Sequence, residues 1–243
     1  MNNPICISTG AVYKFSEDMN EKIQMLEKFS PDGVELCFAD SQHLLDFKIT
    51  EENLSYLRGL KAVSIHAPWK EIVYNDNELC HQVLCTIEKL YKQINANNVV
   101  VHFKTDSDVF VVNNYNFVTS AENGEWKTEK WPNTPEGISS ILGLNNKLRF
   151  TFDFAHALTV SSDDVPGYIN LFSQIISEIH FSTRQKDAPD HWFLHKHDSE
   201  EIRKLLSYLK PLNVSIALEC VAADESELPL IKNEMEYARW IFG

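Results

Sequence analysis

Ala62-Val63-Ser64-Ile65-His66 and Asn98-Val99-Val100-Val101-His102 are two short apolar runs, each closing on a histidine. Between them Leu79, Val83, Leu84, Ile87, Leu90 and Ile94 recur at steps of three and four, the period of a helix that buries one face. Strand, helix and strand in that order build a parallel unit with a crossover. The same alternation continues on both sides. Upstream lie the runs Ile5–Ser8 and Gly33–Phe38, with a helical pattern through Ile23, Met25, Leu26 and Phe29 between them. Thr50 before Glu51-Glu52 reads as a helix N-cap. Downstream come Tyr115–Glu122, Leu148–Asp153, Ile175–His180 and Val214–Glu219 as further strands. Helices follow from Thr134-Pro135-Glu136, with proline at the first helical position, then over Asp198–Leu209 and Glu227–Phe242.

Eight strands alternating with helices over 243 residues predict an α/β protein, a single (β/α)8 TIM barrel in one domain spanning residues 1–243. Few residues separate His102 from Tyr115, so the fourth βα unit is expected to be shortened, with a turn of helix near Asp108–Val112. A doubly wound open sheet is the alternative, but no Gly-x-Gly-x-x-Gly follows the first strand and the chain has only 8 glycines.

Lys+Arg number 22 against 35 Asp+Glu, a formal charge of −13, which argues against a broad nucleic-acid-binding face. No apolar stretch approaches the ~18 residues of a membrane span, and the N-terminus shows no secretory pattern. Five cysteines, Cys6, Cys37, Cys80, Cys85 and Cys220, form no CxxC, which suits a reducing cytoplasm.

In a barrel of this kind the chemistry sits at the C-terminal ends of the strands. Those ends read His66, His102, Glu122, Asp153, His180 and Glu219 for strands three to eight. Every one can ligate a metal, and this mixture of imidazole and carboxylate suits Zn²⁺ or Mn²⁺. Without a cation, three carboxylates in one mouth would repel. His156, in Asp153-Phe154-Ala155-His156, and His191, in the loop after strand seven, extend the set. His195, His197, His43 and His81 read as surface residues. Glu35, at the end of strand two, is placed to orient a ligand histidine. With it on the substrate side stand Trp69, an apolar wall after His66-Ala67-Pro68, and Arg184, a clamp for a phosphate or hydroxyl. Trp126 and Trp192 lie in loops over the same face, and the cysteines read as structural.

In order along the chain, Val34-Glu35-Leu36, Ser64-Ile65-His66-Ala67-Pro68, Val100-Val101-His102, Ala121-Glu122-Asn123, Phe152-Asp153-Phe154-Ala155-His156-Ala157, Ile179-His180-Phe181-Ser182, Asp190-His191 and Ala217-Leu218-Glu219 form a set. This set resembles the xylose-isomerase-like TIM-barrel superfamily, which contains endonuclease IV and many sugar isomerases and epimerases. The isomerase branch implies one Mn²⁺-like ion on Glu122, Asp153, His180 and Glu219, with both glutamates as acid and base. The endonuclease branch implies a second metal on His66, His102 and Glu122. It also implies a third on His156, His191 and a nearby aspartate, so one to three divalent ions in all. Pro189 stands where the endonuclease pattern has aspartate, and Thr183 where an acid is usual. These departures, with the shortened fourth unit, weigh against a third metal and against DNA cleavage.

The expected activity is therefore a metal-dependent isomerase or epimerase acting on a small sugar, sugar phosphate or polyol. Glu122 and Glu219 would move a proton through an enediolate. The alternative is an endonuclease IV-like multi-metal phosphodiesterase acting on abasic DNA or another phosphoester. It needs a basic strip at the mouth, for which Lys70, Lys104, Lys127, Lys130, Arg184, Lys186 and Lys196 are the candidates. A catalytically silent binding module is the third reading, disfavoured by the completeness of the ligand set.

Overall fold

The computed structural model describes residues 3–125, 131–184, 188 and 190–243. Eight strands form its centre: β1 Ile5–Ser8, β2 Gly33–Cys37, β3 Ala62–His66, β4 Asn98–Val101, β5 Thr119–Glu122, β6 Arg149–Asp153, β7 Ile176–Phe181 and β8 Ser215–Leu218. They pair in sequence order, and β1 also pairs in parallel with β8, so the sheet closes into a barrel. Around it run α1 Met19–Glu27, α2 Ser41–Asp46, α3 Glu51–Arg58, α4 Glu78–Ile94, α5 Pro135–Leu144, α6 Phe154–Val160, α7 Val165–Phe172, α8 Glu200–Leu209 and α9 Leu228–Phe242. The architecture is the (β/α)8 barrel that the alternation predicts. No helix among the described residues is long and apolar enough to cross a membrane.

Local chemistry sets the helix ends. Asn77 accepts from Cys80 N at the start of α4, Thr50 from Asn53 N at α3, and Thr134 from Gly137 N at α5 with Pro135 just inside. Asn95 ends α4 in the left-handed conformation, at φ 54° and ψ 42°. One detail of α4 departs from its apolar pattern. Leu79 is 40% exposed, and Cys80 takes the buried place beside Val83, Leu84 and Ile87. The Asn77 cap starts the helix with Cys80, not Leu79, on the face toward the barrel. Between β4 and β5 the helical turn covers Val111–Asn114, later than Asp108–Val112, and β5 is shorter than the run from Tyr115.

The strands alternate faces. Ile5, Ile7, Val34, Leu36, Val63, Ile65, Phe150 and Phe152 point outward and join the helices in the main apolar core. The barrel interior is different. Cys6, Ala62 and Ala217 make a small separate cluster there. Beside them runs a buried polar chain: Ser64 Oγ donates to Glu178 Oε1 at 2.8 Å, Asn98 Nδ2 to Glu178 Oε2 at 3.2 Å and to Ser120 Oγ at 3.0 Å. Ser120 and Thr151 hydroxyls meet at 2.6 Å. These bonds satisfy groups that would otherwise be costly to bury.

Gly33 pairs with Cys6 on one side and Ala62 on the other. A Cβ there would overlap the Ala62 carbonyl oxygen and stand 2.5 Å from Cys6 Sγ. The carbonyl is fixed in the ladder and cannot give way. Gly33→Ala is therefore expected to destabilise the protein by about 1–3 kcal/mol or more, read as a lowered urea midpoint at unchanged m. An unchanged midpoint would mean that β2 and β3 can move apart freely.

Candidate metal centre

The barrel positions the strand-end side chains by register. His66, Glu122 and Asp153 are the last residues of β3, β5 and β6, His180 is the last but one of β7, and His102 and Glu219 each follow their strand by one. Inward alternation turns all six toward the mouth. His66, His102, Glu122, Asp153 and His180 are at most 5% exposed, so their charges meet in a poorly solvated space.

Glu122 lies at the centre. Its Oε2 faces His66 Nε2 at 3.1 Å and His102 Nε2 at 2.9 Å. Its Oε1 faces His180 Nδ1 at 3.2 Å and His156 Nδ1 at 3.4 Å. On the far side, Glu219 Oε2 stands 3.3 Å from His180 Nδ1 and 3.5 Å from His191 Nδ1. One ligand atom from each of Glu122, Asp153, His180 and Glu219 lies within 4.8 Å of the others. The same holds for His66, Glu122 and His180, and for Asp153, His156 and His191.

The imidazoles are held in fixed orientations. His66 Nδ1 meets the Ala67 carbonyl at 3.1 Å, leaving Nε2 for the mouth. His156 Nδ1 meets the Asn123 carbonyl at 2.9 Å, and His191 Nδ1 meets Ser182 Oγ at 2.9 Å. His180 Nε2 faces Glu35 Oε2 at 3.1 Å while its Nδ1 faces the carboxylates. For His66 and His180 the anchored nitrogen lies opposite the one that faces the carboxylates, the usual arrangement around a metal, whereas His156 and His191 use Nδ1 for both contacts. Glu35 has no exposed surface and meets His180 at the nitrogen opposite the one that faces Glu122 and Glu219.

Electrostatics point the same way. Burial would raise Glu122, but the His102 and His180 imidazoles outweigh it and hold the carboxyl well below its ordinary range. Burial pushes Glu219 up to about 7. Burial alone would lower His180, yet Glu219, Glu35 and Glu122 together hold it well above its ordinary value. Burial brings His191 down to about 4. Asp153 Oδ2 is buried without a hydrogen-bond partner, 3.5 Å from His156 Nδ1 and 3.8 Å from His180 Nδ1. An orphaned carboxylate oxygen among converging imidazole and carboxylate atoms fits a divalent cation.

The other candidates are dispersed. Trp69 meets His66 edge-on, with ring centroids 4.8 Å apart. Arg184 is paired with Glu125 at 2.5 Å and donates to the Ala188 carbonyl. Asp190 faces away from His156, accepting from Tyr13 Oη at 2.9 Å and Lys14 Nζ at 2.7 Å. Trp192 stacks on His197, and His195 is tied to the buried Glu234. Trp126, Lys127, Lys130, Lys186 and Pro189 lie outside the described residues.

Three contributors escape the sequence reading. Glu178 is fully buried two residues before His180, and burial together with the charge of Glu35 raises it to about 7. Its strand parity with His180 was the available signal. Asn123 brackets Asp153, donating to its carbonyl at 2.9 Å and accepting from its N–H at 2.8 Å. Trp131 stacks on His102 at 4.6 Å and 30°, a contact made across loops that leaves no local pattern.

No family model matches this sequence, and no curated protein matches it. Solved structures do. A D-tagatose 3-epimerase-like protein superposes with a TM-score of 0.72 at 15% identity, over 98% of both chains. Endonuclease IV from Thermus thermophilus does so at 0.65 and 13%, over 98% of this chain and 97% of its own. The chain has the fold of these enzymes. The 3-keto-D-glucoside 4-epimerase of E. coli shares it too, at 0.66 and 13% identity, over 98% of this chain and 99% of its own. These barrels come from the two branches that the strand-end motifs resemble. Identities this low speak for the shared barrel and not for the reaction.

Glu35→Gln keeps the shape but removes the charge behind His180. It is expected to weaken Zn²⁺ or Mn²⁺ binding about 10- to 100-fold, measured by calorimetric titration, with the circular dichroism spectrum unchanged. Equal affinity in the variant would separate Glu35 from the centre.

Proposed function

We propose that the protein is a divalent-metal-dependent isomerase or epimerase acting on a small polyhydroxylated ketose or its phosphate. The observation that carries this reading is the pairing of Glu122 and Glu219 across the mouth, with His180 Nδ1 between them at 3.2 and 3.3 Å. Their environments push the two carboxyls apart, Glu122 down and Glu219 up to about 7, which suits one as proton acceptor and the other as proton donor. Glu122, Asp153, His180 and Glu219 would hold the cation. When bound, it would polarise two adjacent substrate oxygens and acidify the C–H bond beside them. The chain's own part is to place a carboxylate near that proton, to exclude water through the buried imidazole ring, and to set Trp69 and Trp131 along one side of the site.

The surroundings favour a small substrate. Of the described candidates near the strand ends, Lys104 donates to the Ile72 carbonyl at 2.5 Å, Arg184 pairs with Glu125 and Lys196 with Glu227, which leaves the exposed Lys70. With a formal charge of −13, this is a poor face for a polyanion.

A second reading rests on one observation. His66 and His102 face Glu122 Oε2 while His180 faces Oε1, so the carboxylate could be shared between two cations, as a two-metal phosphodiesterase requires.

The protein loaded with Mn²⁺ is expected to incorporate solvent deuterium beside the carbonyl of D-fructose or D-tagatose. Glu219→Gln should slow this about 10²- to 10⁴-fold while the fold persists. Absence of exchange across a ketose panel, with metal bound, would end the isomerase reading. Under the same conditions abasic duplex DNA should stay intact, and nicking that depends on His66 and His102 would install the second reading instead.

A further inference from the structure

The segments that lead into the strands carry a charge unlike that of the whole chain. Lys28, Lys61, Lys147 and Lys210 each lie between a helix and the strand that follows it, and Arg149 opens β6. The one carboxylate in the same segments is Asp32. In a chain of formal charge −13 the acidic excess therefore lies elsewhere. Every strand pair of the barrel is parallel, so these segments gather at one end, opposite the metal centre. Arg149 and Asp153 are the two ends of β6, roughly 13 Å apart along the strand.

At this basic end opens a cleft of about 540 Å³, lined in part by Lys61, Asn97, Arg149, Ser177, Asn213 and Ser215. Among the described residues no carboxylate lines it. Asp32 is held by Lys61 at 2.6 Å, by Arg239 at 3.7 Å and by the Ile5 N–H at 3.3 Å, so its charge is already met. Glu178, the register partner of Ser215, has both oxygens engaged by Ser64 and Asn98 inside the lumen. Arg149 is exposed, and no carboxylate among the described residues pairs with it. Asn97 has its Oδ1 engaged by the Val63 N–H at 2.8 Å, which leaves Nδ2 as a donor. Ser215 Oγ is buried without a hydrogen-bond partner.

The lining is thus a set of donors with a surplus of positive charge. An unpaired guanidinium presents a planar fork that matches two oxygens of a phosphate or carboxylate. An anion gains Arg149 without breaking any ion pair of the protein. Lys61, 72% exposed, can also turn to it while Arg239 stays on Asp32. A neutral polyol would meet the same donors without charge assistance, and such bonds are about half as strong. The volume lies within the ~300–1,000 Å³ of small-molecule sites, room for a sugar bisphosphate or a mononucleotide.

We propose that this cleft binds a small anion carrying at least two negative charges, a phosphate ester or a polycarboxylate, at a site separate from the metal centre.

The test follows the side-chain amide resonance of Asn213, assigned from its loss in Asn213→Ala, in the Zn²⁺-loaded protein at about 0.15 M salt. Fructose 1,6-bisphosphate, AMP, succinate and glucose are titrated in turn. At least one of the three anions should shift that resonance saturably, with a dissociation constant around 0.1–1 mM and at least about tenfold tighter than glucose. Arg149→Gln should weaken that anion at least about tenfold, and Arg149→Lys, which keeps the charge but loses the fork, should fall between. Bound Zn²⁺ should be the same in every variant. Tighter binding of fructose 1,6-bisphosphate or AMP than of succinate identifies a phosphate ester, and the reverse order a polycarboxylate. No saturable shift with any anion, glucose binding as tightly as the anions, or anion affinity that survives Arg149→Gln would overturn the site. None of these outcomes depends on the isomerase reading, since the metal centre lies at the other end of the strands.

Discussion

A single carboxylate divides four imidazoles between its two oxygens: His66 and His102 on Glu122 Oε2, His180 and His156 on Oε1. The rest of the mouth follows from that arrangement. At 2% exposure Glu122 has almost no water to stabilise its charge, so its neighbours must do so. Ala67 and Glu35 meet the far nitrogens of His66 and His180, from the residue after β3 and from β2. Asn123 holds His156 by the same Nδ1 that faces Glu122, and His102 Nδ1 is buried without a partner. For His66 and His180, orientation is settled before any ligand arrives.

The interior of the barrel supports this from below. A lumen filled with branched apolar residues would pack well but would leave Glu35 without company. Here the chain from Ser64 through Glu178 and Asn98 to Ser120 and Thr151 keeps the lumen polar and fully buried. The apolar core lies instead between strands and helices, where Phe150, Phe152 and Tyr168 stack on one another. Stability and chemistry are therefore carried by opposite faces of the same strands.

That division explains what could be read from the sequence. Outward residues are continuous in type, so strands and helices announced themselves by period, and the barrel followed from their number. The strand-end residues were legible because closure fixes where each strand stops. Glu178 was harder, since an acidic residue inside a strand reads as solvent-facing until the closed lumen is known. Trp131 and the pairing of Arg184 with Glu125 were beyond reach, because both depend on loops meeting across the mouth. Asp190 is the instructive case. It stands directly before His191, one place from where the endonuclease pattern puts its aspartate, and its carboxylate is held by Tyr13 and Lys14.

The antiparallel bridge of Thr183 and Trp192 gives that last detail a wider meaning. Because His191 turns to Glu219 while Asp190 and Trp192 on either side of it turn to Lys14 and His197, sliding the segment by one residue would exchange its whole cast: His191 would leave the mouth as Asp190 or Trp192 entered it. Insertion or loss of a single residue nearby is thus a discontinuous evolutionary step, recasting the ligand set and the ion pair beside it together.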